Sequence, residues 1–204
     1  MPWVEYTELT ALFLIQGAAM AMWFVPLTTV LDAHGLHAIK PLAFATTGIA
    51  AFVSPLFFGA MADRHASPVK VLRGLAFATA VAMTLASSAI QFGWSPWAVL
   101  ALIQLHALCS SPTWSIASTI VLSRLRDAKR DFGPVRAMAT LGWLRDADHV
   151  SSAMGVLDAS VLQASALLGL AAAMAAREST RLRWAASAVA EAIVLFAATM
   201  IALQ

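Results

Sequence analysis

Residues 74–123 read GLAFATAVAMTLASSAIQFGWSPWAVLALIQLHALCSSPTWSIASTIVLS, and none of these 50 positions holds Asp, Glu, Lys or Arg. Crossing roughly 30 Å of hydrocarbon takes about 20 residues at about 1.5 Å per residue, so the run is too long for one helix. Phe92-Gly93-Trp94-Ser95-Pro96 divides it with turn formers and with Trp, which favours the membrane–water interface. The run therefore predicts two membrane helices, 68–91 and 97–123, joined by a tight turn. Working outward, 9–31 and 41–62 are also free of charge, at 23 and 22 residues, and predict helices over about 8–31 and 41–62. Four such segments in succession define an all-α integral membrane protein, a multi-helix transmembrane bundle.

Composition agrees. The chain of 204 residues is 60% hydrophobic and 12% charged, against roughly 25% charged for a soluble domain. Mean hydropathy is +0.77. Net charge is only +2, and the bases sit in loops rather than on one soluble face, which excludes a nucleic-acid partner. The lone Cys109 lies in an apolar run, so no intramolecular disulfide and no cysteine metal cluster is expected. Glu5 and Glu8 stand where a signal peptide would be basic, and the first segment reads as a retained membrane helix.

The bases give the orientation. Arg64, Lys70 and Arg73 lie between the second and third segments, and Arg124, Arg126, Lys129, Arg130 and Arg136 follow the fourth. On the opposite side only Lys40 occurs. By the positive-inside rule both basic loops and the N-terminus are cytoplasmic. Beyond Arg136 two paths stay open. One places a fifth helix at 135–157 and a sixth at 158–176, with Arg145, Asp146, Asp148 and His149 near the bilayer middle, at about 2.5–3.5 kcal/mol for each Arg or Asp. The other leaves 124–149 as a cytoplasmic loop and spans the membrane with 150–176.

Arg136, Thr140 and Trp143 follow i, i+4, i+7 and share one helix face. A guanidinium, a hydroxyl and an indole can bond a ribose or base edge and stack on a nucleobase. The same three also suit an Arg anchoring a helix end, with Thr and Trp as packing. His106 is the only imidazole in the charge-free run and shares a face with Ser110 and Thr113. It is a candidate proton carrier, or else a neutral His bonded to a neighbouring helix. Gln16 could face the same cavity. No three residues have metal-ligand spacing: Asp146, Asp148 and His149 scatter around a helix. No G-x-S-x-G or H-E-x-x-H element argues for an enzyme, and no cofactor motif occurs.

Three stretches together resemble the major facilitator superfamily, and within it the nucleoside:proton symporters. Gly59-Ala60-Met61-Ala62-Asp63-Arg64 is similar to the G-x-x-x-D-R loop signature between the second and third helices. Its tail keeps only Lys70 of the usual basic cluster. Leu108-Cys109-Ser110-Ser111-Pro112-Thr113 resembles the L-C-x-x-P-T run, and Arg136-Ala137-Met138-Ala139-Thr140-Leu141-Gly142-Trp143 the R-x-x-x-T-x-G-aromatic element. Trp23-Phe24-Val25-Pro26-Leu27 and Ile49-Ala50-Ala51-Phe52-Val53-Ser54-Pro55 follow in the expected order.

The resemblance covers about 8–144, so 1–144 is expected to form transporter-like helices and 145–204 divergent membrane helices. It implies one half of a twelve-helix transporter in a bacterial inner membrane, coupling nucleoside uptake to proton entry. Arg136, Thr140 and Trp143 would then contact the nucleoside. Gly59, Asp63 and Arg64 would form a gating loop, with Asp63 pairing a base or capping a helix to bias one conformation. The alternative for that pair is a solvated loop contact worth about 1 kcal/mol or less. The family's proton-coupling acid has no match here, and a homodimer is one way to supply a second half. The rival readings are a non-transporting membrane scaffold and a non-functional fragment. Convergence of Arg136, Thr140, Trp143 and His106 on one cavity separates a transporter from a scaffold.

Overall fold

The computed structural model describes residues 3–59 and 67–152, with side chains to Leu144. Asp63, Arg64, the expected helix 158–176 and the side chains from Arg145 onward lie outside the described residues. Among those described, the chain is helical: α1 (Trp3–Phe24), α2 (Leu27–Ala33), a 3-10 turn (His37–Ile39), α3 (Lys40–Ser54), a π-type turn (Pro55–Gly59), α4 (Pro68–Gln91), α5 (Pro96–Arg124) and α6 (Ala128–Ser152). Four stretches are long and apolar enough to cross a membrane: Trp3–Ala33, His37–Phe58, Pro68–Gln91 and Pro96–Arg124.

Prolines set the interruptions. Pro26 has no N–H to continue the ladder, so the first span bends between α1 and α2 instead of running straight over 8–31. Pro55 likewise widens the end of the second span into the π turn that closes on Gly59. Pro68 and Pro96 instead occupy first helical turns, where a missing N–H costs nothing, and Ser67 and Ser95 cap them through the N–H groups of Lys70 and Ala98. Between α4 and α5 the turn closes through Trp94 N–H to Ala89 O, with Gly93 at φ 65°. Only glycine takes that left-handed position without strain. Phe92, Trp94 and Trp97 are all exposed at this turn, as an interfacial aromatic belt requires.

Pro112 sits inside α5 and cannot donate to the carbonyl of Leu108. The buried Ser54 hydroxyl of α3 donates to that carbonyl at 2.8 Å. A proline-freed acceptor thus becomes the tether between two helices, as membrane helices with prolines require. Ser54→Ala is expected to cost about 1–3 kcal/mol, the penalty of a buried unsatisfied acceptor. In a Pro112→Ala background the restored N–H at 112 serves the carbonyl, so the cost should be clearly smaller. Melting in detergent measures both; equal losses would show that Ser54 does not serve Leu108.

One expectation is corrected. The fifth helix begins at Ala128, not 135, because Asp127 caps it by accepting the Arg130 N–H at 3.3 Å. Lys129, Arg130 and Arg136 are therefore helical, and only 125–127 connect. Gly133 and Pro134 lie exposed near the start of this helix, where freed carbonyls can be solvated. The stretch read in the alternative as a loop over 124–149 is helical from Ala128 on. Lys40, the one base on the opposite side, is paired: Asp32 accepts from its Nζ at 2.7 Å and lies 2.6 Å from His37 Nδ1.

α6 packs most extensively on α1. Ring pairs Phe13–Phe132 and Phe24–Trp143 rise together along the two helices, so α1 and α6 run in the same direction. That is the sense a fifth crossing has after four. Where they cross, Gly17 meets the Ala139 carbonyl and Gly142 meets the Leu14 carbonyl, with no room for a Cβ at either glycine. Small residues let membrane helices approach backbone to backbone.

Candidate functional site

Buried side chains gather towards both ends of the bundle, with a cavity between them. One cluster gathers Leu27, Leu31, Ile39, Met83, Ile90 and Ile103 at the end holding the α4–α5 turn. At the other end Leu9, Phe13, Val121 and Val135 form a second cluster, with Val71, Leu75 and Ile120 in a third beside it. Between them lies a cavity of about 670 Å³, walled by α1, α3, α4 and α5 and reached by Arg136 from α6. Its height follows from the sequence: Gln16, Thr47, Thr79 and His106 fall near the middle of their helices.

Arg136, Thr140 and Trp143 do share a face, and with Trp114, Met20 and Gly17 they line a neighbouring cavity of about 220 Å³. Arg136, Trp114 and Met20 line both cavities, so the two adjoin through these residues. The guanidinium lies over the Trp114 ring at 5.4 Å, and no carboxylate pairs with it among the described residues. Phe13 braces Trp114 edge-on at 5.7 Å, and Phe132 braces Phe13 at 6.3 Å. Arg136 is therefore a donor group with one face against an aromatic ring, at the edge of open volume. Arg136 and Thr140 are exposed, so this wall is open on one side.

His106 and its face partners Ser110 and Thr113 line the larger cavity. The imidazole is only 2% exposed and stands edge-on to Trp23, with centroids 4.8 Å apart. Its Nδ1 lies 3.3 Å from the Thr79 carbonyl, which can only accept, so Nδ1 carries the proton. Nε2 is buried without a hydrogen-bond partner, as are Thr79 Oγ1 and Gln16 Oε1. Gln16 Nε2 donates to Thr113 Oγ1 at 3.2 Å.

His106 thus meets Arg136 in the larger cavity, while Thr140 and Trp143 meet Arg136 in the smaller one. Gly59 closes the π turn, and its loop partners Asp63 and Arg64 lie outside the described residues. Sequence reasoning missed Trp114 and Thr79. A signal for Trp114 existed: it lies ten positions from Arg124, deep in a helix rather than in the interfacial belt where Trp usually sits. Thr79 had none, since its role depends on a partner 27 residues away. Among the described residues no three His, Cys, Asp or Glu gather for a metal.

Comparison with known proteins gives consistent results. The family profile described as "Nucleoside H+ symporter" matches residues 6–199. YegT of Escherichia coli (strain K12), assigned as a nucleoside transporter, is 33% identical over 139 residues, covering 67% of this chain and 32% of its own. The crystal structure of the nucleoside transporter NupG superposes with a TM-score of 0.74 at 24% identity, over 82% of this chain and 42% of NupG. A point-mutant NupG structure gives 0.72 at 22% identity, over 94% and 50%. The chain spans about a third to a half of the length of these relatives.

Proposed function

The chain belongs to the nucleoside H+ symporter family, and on that premise we propose that it forms the substrate-cradling half of a secondary transporter that takes up nucleosides with protons. It is an all-α, multi-pass membrane protein whose family and structural neighbours are transporters rather than enzymes. One observation carries the proposal: Arg136, braced by Trp114, stands at the shared edge of two adjoining cavities at the middle of the bundle. Substrate sites of such transporters lie near the bilayer midplane, between two halves that rock about them. In this reading Trp143 offers the nucleobase a plate, Arg136 bonds its acceptors, and Thr140 adds a hydroxyl. A scaffold would need no such convergence of polar groups on open volume.

His106 enters as a wall group rather than as the proton carrier its sequence position suggested. Its Nδ1–H is committed to a carbonyl, and no Asp or Glu is among the described residues lining the cavity to balance a second cation beside Arg136. Asp63 and Arg64 retain their proposed gating role, with Gly59 leading into their loop. The division at 144 falls within α6 and marks a change of composition, with divergent helices proposed beyond it.

Because the Arg136 face is exposed, closing it around a ligand takes a second wall, from a second copy or from another half. Expressed by itself, the 204-residue polypeptide is expected to bind nucleosides without concentrating them. Uptake of labelled nucleoside into cells lacking their own transporters checks this. Accumulation abolished by a protonophore would show that this chain transports unaided.

The proposed setting is a bacterial inner membrane, with the N-terminus and both basic loops in the cytoplasm. The parallel course of α1 and α6 puts the N-terminus and the 125–127 connection on one side, and the positive-inside rule names that side. Arg64→Cys and Lys129→Cys should be labelled by a membrane-impermeant maleimide only after the cells are opened. Labelling of either in intact cells would reverse the orientation.

A further inference from the structure

The larger cavity has a polarity that the proposed base-binding face leaves unexplained. Arg136, with five donors and no acceptor, stands at one edge. Elsewhere on the wall are buried atoms whose hydrogen-bonding sense is fixed by their neighbours. Thr113 spends its hydroxyl proton on the Ser110 carbonyl at 2.6 Å. Towards Gln16 it can therefore only accept, which turns the Gln16 amide nitrogen to Thr113 and leaves Oε1 as an unused acceptor. The same logic applies to His106: with Nδ1–H given to the Thr79 carbonyl, Nε2 in the neutral ring is an unused acceptor. Thr79 Oγ1 is the third buried atom without a partner. Burying such atoms unpaired costs about 1–3 kcal/mol each, so the site is built for something that donates.

We propose that His106 Nε2, Gln16 Oε1 and the Thr79 hydroxyl form a second subsite that receives the vicinal hydroxyls of the ligand's sugar. The proposal rests on the nucleoside reading of the cavity and adds the direction in which the ligand lies. The heterocycle, rich in carbonyl and ring-nitrogen acceptors, sits at Arg136 and Trp143. The ribose, rich in hydroxyl donors, sits against α1, α4 and α5. The two cavities adjoin at Arg136, Trp114 and Met20, so one ligand can engage both ends. A cavity of about 670 Å³ lies within the usual 300–1,000 Å³ of small-molecule sites. The Trp23 ring, edge-on to His106 with centroids 4.8 Å apart, packs against the imidazole and limits its rotation.

A site built to bond a hydroxyl rejects the analogue lacking it, because its own buried acceptors are then left unpaired. The test measures binding of uridine and of 2′,3′-dideoxyuridine to the full chain in detergent, with adenosine and its dideoxy analogue as a second pair. The unaltered chain should prefer the hydroxylated ligand about tenfold or more. His106→Phe keeps the ring against Trp23 and removes Nε2; Gln16→Met keeps the length and removes Oε1. Each should cut the preference several-fold while leaving affinity for the dideoxy ligand unchanged. Equal binding of the two ligands by the unaltered chain overturns the subsite without needing any variant to fold. A preference that persists in both variants overturns it too, as does an equal loss of both ligands, which would mark a structural role. If the unaltered chain binds no nucleoside, and Arg136→Ala binds none either, the nucleoside reading itself has failed.

Discussion

Gly142→Leu is expected to abolish nucleoside binding and to lower the apparent melting temperature in detergent by about 5 °C or more, from an overpacking cost of about 3 kcal/mol. The cause is local and geometric. Any side chain at 142 drives into the Leu14 carbonyl of α1, which belongs to a rigid helix and cannot swing aside. α6 must then move off α1, carrying with it Arg136, Thr140 and Trp143, whose placement depends on that crossing. Gly17→Leu should act alike through the Ala139 carbonyl. Gly74→Ala serves as control: a Cβ there meets nothing within 4 Å, and replacing a helical glycine should stabilise by about 0.5–1 kcal/mol. A Gly142→Leu chain that melts and binds like the parent would mean α1 and α6 do not meet at these glycines.

Arg136→Ala should weaken nucleoside binding by about 1.5–3 kcal/mol, roughly 10- to 150-fold, as loss of a charged hydrogen-bond donor. Trp143→Ala should cost about 1–3 kcal/mol, the range for base stacking on an aromatic ring. Arg136→Lys separates charge from shape. Lysine keeps the cation but loses the planar fork that matches a base edge and lies flat on Trp114, so it should recover only part of the loss. Titration of each variant with labelled nucleoside, after gel filtration shows an intact particle, decides the matter. Full recovery by lysine would reduce Arg136 to a point charge. Unchanged binding in both alanine variants would remove this face from the site.

Much of this was legible without coordinates. Charge-free runs fixed the four spans, because the cost of an unpaired charge in hydrocarbon is local to the residue that bears it. Phe92 to Pro96 fixed the turn, since Gly93 and Pro96 restrict their own backbone. Helical period put Arg136, Thr140 and Trp143 on one face and His106, Ser110 and Thr113 on another. Where the chain failed to announce itself, two local signals conflicted. The bases from Arg124 to Arg136 read as a connection because of their charge, yet Asp127 caps a helix that carries Lys129, Arg130 and Arg136.

Tertiary structure decided what depends on two distant segments at once. That α6 packs backbone to backbone on α1 rests on Gly17 and Gly142 together, neither informative alone. That the Leu108 carbonyl needs Ser54 follows from a proline in one helix and a hydroxyl 54 positions away. Which ends of Gln16 and His106 remain unpartnered is set by Thr113 and Thr79 on other helices, which engage the opposite end of each group. The sequence by itself determined a membrane bundle and the faces its helices could offer, since hydropathy and period belong to single segments. Only packing determined which buried polar atoms were left without a partner, because an unsatisfied acceptor is defined by every neighbour that fails to donate to it.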